Sequence, residues 1–422
     1  MMAEKSSAAP GRKTIWIINN YASHLEARHR ELAEGFAANG YRAVVITSAF
    51  HHGRHQYLYD EPITYVDRGA GATFVYLKAC PPYANSGIKR VLNMLDFCRM
   101  VYRYTGAIAE KIGAPQYIIA SSAPPFVWEV GYVLARRFSA RFIAEFRDIW
   151  PLSLVEIQGV PEHHPLVLLL SRIEKRAYRR ADAIVSTMPY AWRHVRQVAD
   201  VSREKIHWIP NGISTEDADA ELVADTQLPT DLDEFLTNHW CCIYTGSIVK
   251  SECLDFLVEA WEQLRGTDIY LAFVGEGSEK ERIAALIEKK RLDHVRMFPQ
   301  IDSKLVAKAL VKARCCVASY RYNKLAQFGT SLNKFNDYLY AGVPTVFACD
   351  GPNVVQEAGH FSIPYGDTAR FAETIRQVRD LTNEQRATLA WQGREIIRKE
   401  YDYPVLARRY LDLMENCAGR QR

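Results

Sequence analysis

The chain has 422 residues, with 53 Lys and Arg against 49 Asp and Glu and a formal net charge of +4 at pH 7. This length exceeds what one hydrophobic core usually supports and favours two globular domains of roughly 200 residues each. A charged content of 24% and a hydrophobic content of 48% exclude a disordered or fibrous protein. The mildly basic balance suits an anionic ligand or lipid but is weaker than in nucleic-acid-binding proteins, so we expect no nucleic-acid partner.

The nine cysteines occur without CxxC pairs or histidines at metal-ligand spacing, so the sequence predicts neither a zinc site nor a disulfide framework. The first dozen residues lack the apolar core of a signal peptide. The longest aliphatic run, Leu166 to Leu170, is far shorter than the ~20 residues that span a bilayer. We therefore expect a cytoplasmic protein whose contact with the inner face of the cytoplasmic membrane is peripheral.

The first half alternates short apolar strands with amphipathic helices. It opens with the strand TIWIIN from Thr14, a helix from about Leu25 to Ala38 and the strand RAVVIT from Arg42. Further strands are predicted at 117–120, 141–146 and 183–186, with helices near 126–138 and 165–180. This βαβ alternation predicts a parallel sheet covered by helices.

The stretch 215–238 is rich in Asp, Glu, Thr and Pro with little apolar periodicity, so we interpret it as an interdomain linker. The alternation then restarts with the strands CCIYTG, IYLAFVG, VRMFP, CCVASY and PTVFAC. The predicted domains are residues 1–214 and 239–398, followed by a C-terminal helix at 399–422 that packs back onto the first domain. The fold class is α/β, with two Rossmann-like, doubly wound parallel-sheet domains.

Ligands of open parallel sheets bind beyond the carboxyl ends of the strands, which makes the loops of the second half candidate sites. The loop after CCIYT offers Gly246 and Ser247 for close backbone approach to a diphosphate and Lys250 as a cation. The loop after YLAFV places Glu276 and Gly277 before a helix start. Either loop alone is equally compatible with an ordinary turn.

A third loop precedes a helix that continues through Asp337. Its candidate residues are Gly329, Thr330, Ser331, Asn333 and Lys334. A glycine, hydroxyls and a lysine at a helix start favour a phosphate, and Asp337 can accept hydrogen bonds from vicinal ribose hydroxyls. The alternative is an ordinary capped helix in which Lys334 and Asp337 pair at i,i+3. Three such loops at one sheet edge together predict a nucleotide-diphosphate site.

The segments IPNGI, YTGSIVK, FVGEGSEKERI, TSLNKFNDYLYAGVPTV and IPYGDTARFAETI resemble, in order and spacing, the landmarks of glycosyltransferase family 4. FRDIWPLSLVEIQG, preceded by ASSAPP, is similar to a subgroup that builds bacterial O-antigen, capsule and exopolysaccharide repeat units. The resemblance implies the GT-B architecture, with two domains facing a cleft. It also implies a retaining hexosyltransferase that moves a sugar from a nucleotide-sugar donor, with a UDP-sugar favoured, to a lipid-linked or glycan acceptor.

The family usually carries two glutamates separated by seven residues near the third loop. Here Asp337 takes the second position and Gly329 the first, so recognition of the donor sugar stays open. Lys250 and Lys334 are the expected diphosphate cations, and because two cations can stabilise the leaving diphosphate we expect catalysis without a metal or other cofactor. The alternatives are a nucleotide-sugar 2-epimerase of the same architecture and a catalytically silent donor-binding scaffold.

On the acceptor side, Arg147 and Asp148 follow an apolar strand and should face the cleft. We expect Asp148 to orient an acceptor hydroxyl and Arg147 to bind phosphate; the alternative is a salt-bridged pair that supports the loop. The segment 88–104 predicts a basic amphipathic helix suited to an anionic lipid interface, unless its apolar stripe is core. The apolar residues of this segment are Ile88, Val91, Leu92, Leu95 and Met100.

Overall fold

The computed structural model describes residues 12–84, 87–321, 324–329 and 331–419. The chain divides into two compact units. The first unit contains the described residues up to Pro210 and those from Tyr403 onward, and the second is Asn211–Asp402. Among the helices in this part of the chain, none has the length and apolar content needed to cross a bilayer.

The first unit is built on a mainly parallel sheet. Its strands are β1 (Thr14–Ile18), β2 (Arg42–Ser48), β3 (Phe50–His51), β4 (Gln56–Tyr57), β5 (Ile63–Asp67), β6 (Ala72–Leu77), β7 (Tyr117–Ser122), β8 (Arg141–Phe146), β9 (Ala183–Ser186) and β10 (Ile206–Trp208). The sheet order is β10-β9-β8-β7-β1-β2-β6-β5, in which only β5 is antiparallel to its neighbour, while β3 and β4 form a separate hairpin. Every residue of β1 is buried, as its uninterrupted apolar sequence predicts for an inner strand of a parallel sheet.

Helices cover both faces of this sheet. They are α1 (Ala27–Ala38), α2 (Ile88–Ile112), α3 (Phe126–Phe138), α4 (Trp150–Glu156), α5 (Pro165–Arg180) and α6 (Ala191–Ala199). Right-handed crossovers place α2, α3, α5 and α6 on one face and α1 on the other. Contacts of α2 with α3, α3 with α5 and α5 with α6 make the first group a single layer.

The second unit has a fully parallel six-stranded sheet. Its strands are β11 (Trp240–Thr245), β12 (Ile269–Val274), β13 (Val295–Phe298), β14 (Cys315–Ser319), β15 (Thr345–Ala348) and β16 (Phe361–Ile363). Their order is β13-β12-β11-β14-β15-β16, which reverses direction between β11 and β14. Both sheets are therefore doubly wound, and the predicted α/β fold class is confirmed.

The predicted linker is wrong, because residues 215–238 form two helices of the second unit. The helices of this unit are α7 (Thr215–Val223), α8 (Thr230–Asn238), α9 (Leu254–Glu262), α10 (Lys280–Lys289), α11 (Val306–Lys312), α12 (Asn333–Tyr340), α13 (Val354–Glu357), α14 (Thr368–Arg379) and α15 (Asn383–Glu400). Ser214 caps α7 by accepting a hydrogen bond from the Asp217 amide. Helix α8 buries Leu232, Phe235 and Leu236 in the core of the unit, which explains why this polar stretch is ordered.

The last helix, α16 (Tyr403–Gly419), belongs to the first unit and packs on α1. Tyr410 donates a hydrogen bond of 2.6 Å to Glu145 on β8, and Arg28 on α1 donates one of 3.0 Å to the same carboxylate. Burial alone would raise the pKa of Glu145, but the Arg28 charge, together with the charges and hydrogen bonds around it, holds that pKa below its ordinary value. This buried network joins three elements of the unit.

Replacing Tyr410 with Phe keeps the packing of α16 but removes the hydrogen bond to the Glu145 carboxylate. We expect the free energy of unfolding to fall by about 1.5–3 kcal/mol, the range for a hydrogen bond to a charged group. Urea denaturation of the full chain measures this change, and Tyr102→Phe, at an exposed tyrosine, is the matched control. Equal urea midpoints for Tyr410→Phe and the parent would contradict this role.

Candidate functional site

The second unit contains a cavity of about 540 Å³ at the carboxyl ends of β11, β12 and β13 and the amino end of α12. This volume is within the range of pockets that hold small-molecule ligands. The predicted residues that line it are Gly246, Ser247, Glu276, Ser331, Asn333, Lys334 and Asp337. The structure thus brings the three predicted loops together at one edge of the sheet, as the parallel strand order requires.

The first two loops touch through their backbones. The Ile248 amide donates a hydrogen bond of 2.8 Å to the Glu276 carbonyl oxygen. A Cβ atom on Gly275 would lie 1.9 Å from the Gly246 carbonyl oxygen, and one on Gly277 would lie 2.2 Å from the Ile248 carbonyl oxygen. A side chain at either position would force the loops apart. Gly277 therefore allows the two loops to touch, and it does not itself line the cavity.

The third loop is fixed by Asn211, from the segment IPNGI. The Asn211 amide donates to the Ser331 hydroxyl at 3.2 Å, and its side-chain Nδ2 donates to the Ser331 carbonyl oxygen at 3.1 Å. Asn336 on α12 donates in turn to the Asn211 carbonyl oxygen at 3.1 Å. The Ser331 hydroxyl thus has a structural partner, while Asn333 is exposed and lines the cavity.

Gly329 ends a short 3-10 turn with φ of 86°, in the left-handed region that favours glycine. A glutamate, expected here from the family pattern, would be strained at this backbone conformation. Gly329 does not line the cavity. Thr330, the remaining predicted residue of this loop, lies outside the described residues.

Lys334 is largely buried in the cavity wall and has two partners. Its Nζ forms an ion pair with Glu252 and donates to Tyr244 Oη at 3.1 Å, and it lies 4.4 Å from the centre of the Tyr244 ring. Burial lowers the pKa of Lys334, and the Glu252 carboxylate opposes that shift. Lys334 therefore pairs with Glu252, and the alternative i,i+3 pair with Asp337 does not form.

Glu252 lines the cavity, although the sequence did not single it out. It ends a 3-10 turn that begins at Lys250, whose side chain is exposed and does not line the cavity. The turn therefore presents a carboxylate, rather than the predicted cation, to Lys334. Gln300 and Ser303 also line the cavity. They follow the strand VRMFP (β13), which lies next to β12 in the sheet, so the place of this strand in the sheet order would have indicated them.

Asp337 lines the cavity one turn along α12 from Lys334. Its carboxylate has no hydrogen-bond or ion-pair partner among the described residues. Burial raises the pKa of Asp337 to about 7, and repulsion from Glu221 adds to the rise. Such a group gains from a ligand that donates hydrogen bonds to its charged form, as two vicinal hydroxyls can.

The first unit has unpaired buried polar atoms at the ends of three adjacent strands, β8, β7 and β1. Arg147 Nε follows β8, Ser122 Oγ ends β7, and Asn20 Oδ1 follows β1; none has a partner among the described residues. Buried polar atoms are normally hydrogen-bonded, so this edge offers contacts to a ligand or to water.

Asp148 lies beside Arg147, is exposed, and forms no ion pair with Arg147 or any other described residue. Desolvation by the surrounding protein raises the pKa of Asp148, and the Arg147 charge opposes that rise. The salt-bridged alternative is therefore not formed. Next to this loop, Trp150 lies under the guanidinium of Arg90, 5.9 Å from the ring centre, and Arg90 Nε donates to Tyr21 Oη at 3.1 Å.

The raised pKa of Asp337 predicts a stability cost that depends on pH. The folded protein keeps Asp337 protonated up to about pH 7, whereas the unfolded chain releases this proton near the ordinary pKa of 3.8. The folded state therefore loses stability, relative to the unfolded state, as the pH rises between these two values. Asp337→Asn should therefore be more stable than the parent by roughly 1–3 kcal/mol at pH 8 and nearly equal to it at pH 4. Thermal unfolding at both pH values measures this difference.

Asp412→Asn, at an exposed position of the first unit, is the matched control and should change the melting temperature at neither pH. A gain for Asp337→Asn that was the same at pH 4 and pH 8 would show that the effect does not come from the Asp337 charge.

The chain matches two family descriptions: residues 25–212 match the glycosyl transferase 4-like domain, and residues 241–380 match glycosyl transferases group 1. The putative colanic acid biosynthesis glycosyl transferase WcaI of Escherichia coli strain K12 is 25% identical over 294 residues, which cover 68% of this chain and 70% of that protein.

Two solved structures share the fold. HepE of Anabaena in complex with UDP aligns with a TM-score of 0.64 at 14% identity, covering 96% of this chain and 100% of that chain. The α,α-trehalose 6-phosphate synthase of Burkholderia multivorans aligns with a TM-score of 0.69 at 11% identity, covering 98% and 100%. The two family matches together span well over half of the sequence, so the chain belongs to glycosyltransferase family 4, has the GT-B fold and resembles the exopolysaccharide-assembling subgroup.

Proposed function

We propose that the cavity of the second unit binds a nucleotide-sugar donor, with a UDP-sugar favoured, and that the enzyme is a retaining hexosyltransferase. Its acceptor is a lipid-linked or glycan molecule of cell-surface polysaccharide biosynthesis, at the cytoplasmic side of the membrane. The observation that carries the proposal is that a largely buried lysine, Lys334, and a carboxylate without a partner, Asp337, line the same cavity one turn apart on α12. The name of the Escherichia coli relative and the UDP bound to HepE support this choice of pathway and nucleotide.

The donor diphosphate would take over the ammonium group of Lys334. In the free protein Glu252 neutralises this group, so a diphosphate can replace one anionic partner with another without moving the lysine far. Backbone amides near Gly246 and at the start of α12 add donors, and Lys250 lies in the same loop. These contacts would stabilise the leaving diphosphate without a metal.

Asp337 would accept hydrogen bonds from the two ribose hydroxyls. The other carboxylates of the cavity already have cationic partners, since Glu252 pairs with Lys334 and Glu276 pairs with Lys280. Asp337 is therefore the carboxylate left to bind neutral donors. Ribose binding would favour its charged form and release a proton near neutral pH.

The acceptor side would be formed by Arg147 and Asp148 of the first unit. Asp148 is solvent-accessible and unpaired, so its carboxylate can accept a hydrogen bond from an attacking hydroxyl. The unpaired Nε of Arg147 offers a donor to an acceptor phosphate. These are the contacts that a sugar linked to a lipid diphosphate would need.

Simple assays distinguish sugar transfer from the two alternative functions. A nucleotide-sugar 2-epimerase would convert the donor in the absence of acceptor, and a silent scaffold would bind UDP without turnover. The scaffold is considered because Gly329, with its left-handed backbone, stands where the family usually has a glutamate. Sugar transfer from UDP-sugars to a lipid extract, with release of UDP only when the extract is present, is the result that supports a transferase.

Lys334→Ala should weaken UDP binding by about 1.5–3 kcal/mol, the range for a charge-assisted hydrogen bond. The loss should lie at the upper end because Glu252, left without its partner, would repel the diphosphate. Isothermal titration calorimetry measures it. Glu252→Gln is the matched control, and it should bind UDP at least as tightly as the parent because it removes the competing anion. Unchanged affinity in Lys334→Ala would remove Lys334 from the diphosphate site.

Asp148→Ala should lower sugar transfer by a factor of about 100 or more, the usual scale for a positioned acid-base or orienting group. UDP affinity should stay at the parental value, since Asp148 belongs to the first unit and the donor cavity to the second. Initial rates and calorimetry on the same preparation separate the two effects. A normal transfer rate, or a parallel loss of UDP binding, would show that Asp148 is not an acceptor-side residue.

A further inference from the structure

We infer that Glu252 binds hydroxyl groups of the donor sugar once the diphosphate has taken over its partner, Lys334. The inference rests on the proposed function, because it requires a diphosphate at Lys334. It also assigns a residue to the recognition of the sugar, to which Gly329 contributes no side chain and no part of the cavity wall. Glu252 would thus have two partners in turn, an ammonium group in the free protein and sugar hydroxyls in the donor complex.

The backbone of Glu252 is fixed, whereas its carboxylate depends on one cation. Ser319 Oγ donates a shared hydrogen bond to the carbonyl oxygens of Glu252 and Cys253, at 2.9 and 3.0 Å. The Glu252 amide donates to the Val249 carbonyl oxygen at 3.0 Å. Among the described residues, Lys334 is the only cation that pairs with the Glu252 carboxylate. Loss of this cation would therefore release the side chain while the turn keeps its position.

The position of Glu252 in the cavity matches the sugar end of a nucleotide-sugar. Lys334 Nζ lies against the first loop, since a Cβ atom on Gly246 would be 3.4 Å from it. Asp337, the proposed ribose ligand, lies one turn along α12, and its pKa is raised further by the charge of Glu221 rather than by that of Glu252. The diphosphate of a nucleotide-sugar lies between the ribose and the sugar. With the ribose at Asp337 and the diphosphate at Lys334, the partner of Lys334 is the carboxylate nearest the sugar.

Glu276 is the third carboxylate of the cavity, and its ion pair differs from that of Glu252. Glu276 pairs with Lys280 at i,i+4, and its side chain is 50% exposed. Lys280 does not line the cavity, so a diphosphate at Lys334 does not take this cation away. Glu276 therefore keeps its partner in the donor complex, and Glu252 is the carboxylate that donor binding would release.

Binding of UDP and binding of a UDP-sugar have different consequences for Glu252. The side chains of Lys334 and Glu252 are only 11% and 13% exposed, so a carboxylate that loses this cation is destabilised unless other donors replace it. The terminal phosphate of UDP brings no such donor at neutral pH, whereas a sugar brings hydroxyls that form charge-assisted hydrogen bonds with a carboxylate. Glu252 should therefore disfavour UDP relative to a UDP-sugar. This discrimination would help the enzyme to release UDP after transfer.

Calorimetry with UDP and UDP-sugars on the full chain tests the role of Glu252. The quantity to compare is the Kd of UDP divided by the Kd of whichever donor the parent binds most tightly among UDP-glucose, UDP-galactose and UDP-N-acetylglucosamine. In Glu252→Gln this ratio should fall at least about fivefold, because a neutral amide forms weaker hydrogen bonds with hydroxyls than a carboxylate does. UDP itself should bind at least as tightly as to the parent, which also shows that the variant is folded. Glu252→Ala, which removes the acceptor entirely, should lower the ratio further.

Glu262→Gln is the matched control, because Glu262 also pairs with a lysine of the second unit, Lys290, but does not line the cavity. It should leave both dissociation constants at the parental values. A Glu252→Gln variant in which UDP and the UDP-sugar change affinity by the same factor would overturn the inference, since Glu252 would then only compete for Lys334.

Failure of the proposed function has a different outcome. A parent that binds neither UDP nor any of the three UDP-sugars would overturn both the donor site and the role of Glu252. A parent that shows the expected ratios in its Glu252 variants, but transfers no sugar to a lipid extract, would contradict the transferase and support sugar binding by Glu252.

Discussion

Parallel pairing of neighbouring strands is the constraint on which both units depend. It directs the carboxyl ends of β11, β12 and β13 to one edge, so loops that are far apart in sequence can form one cavity. The glycines at 275 and 277 then allow the first two loops to touch, which a side chain would prevent. In the first unit, the same pairing collects Asn20, Ser122 and Arg147 at one edge. Parallel strand pairing thus determines at which edge of each sheet the polar residues collect.

Most strands with a continuous apolar run could be predicted from the sequence, although the buried strand β6 was missed, and the polar or half-exposed parts could not be predicted. The buried strand TIWII and its successors have the apolar runs of inner parallel strands, and their bounds agree closely with the structure. Helices α7 and α8 were missed because they lie in an acidic stretch. Only the spacing of Leu232, Phe235 and Leu236 indicates α8, and α7 buries a single alanine, Ala218. The edge strand β5 was missed because its residues are half-buried or exposed and lack a continuous apolar run.

The sequence predicted where the candidate site lies, but not the ion pairs and pKa shifts within it. Lys334 and Asp337 were found from the residues that begin a helix after a buried strand. The partner of Lys334 was not, because a 3-10 turn brings Glu252, 82 residues earlier, to the same point, and no local pattern reports such a contact. Nor does spacing reveal that Asp337 lacks a partner and has a pKa of about 7, since this depends on burial and on Glu221.

The return of α16 to the first unit has a consequence for synthesis of the chain. The first unit is discontinuous in sequence, because the whole second unit is translated between β10 and α16. Glu145 and Arg28 leave the ribosome early, but Tyr410 follows hundreds of residues later, so the buried network closes only after the whole second unit has been translated. The second unit, in contrast, is one continuous segment that can fold while the first still waits for its last helix. A nascent chain stopped before α16 would expose the apolar face of α1, a surface that chaperones and proteases recognise.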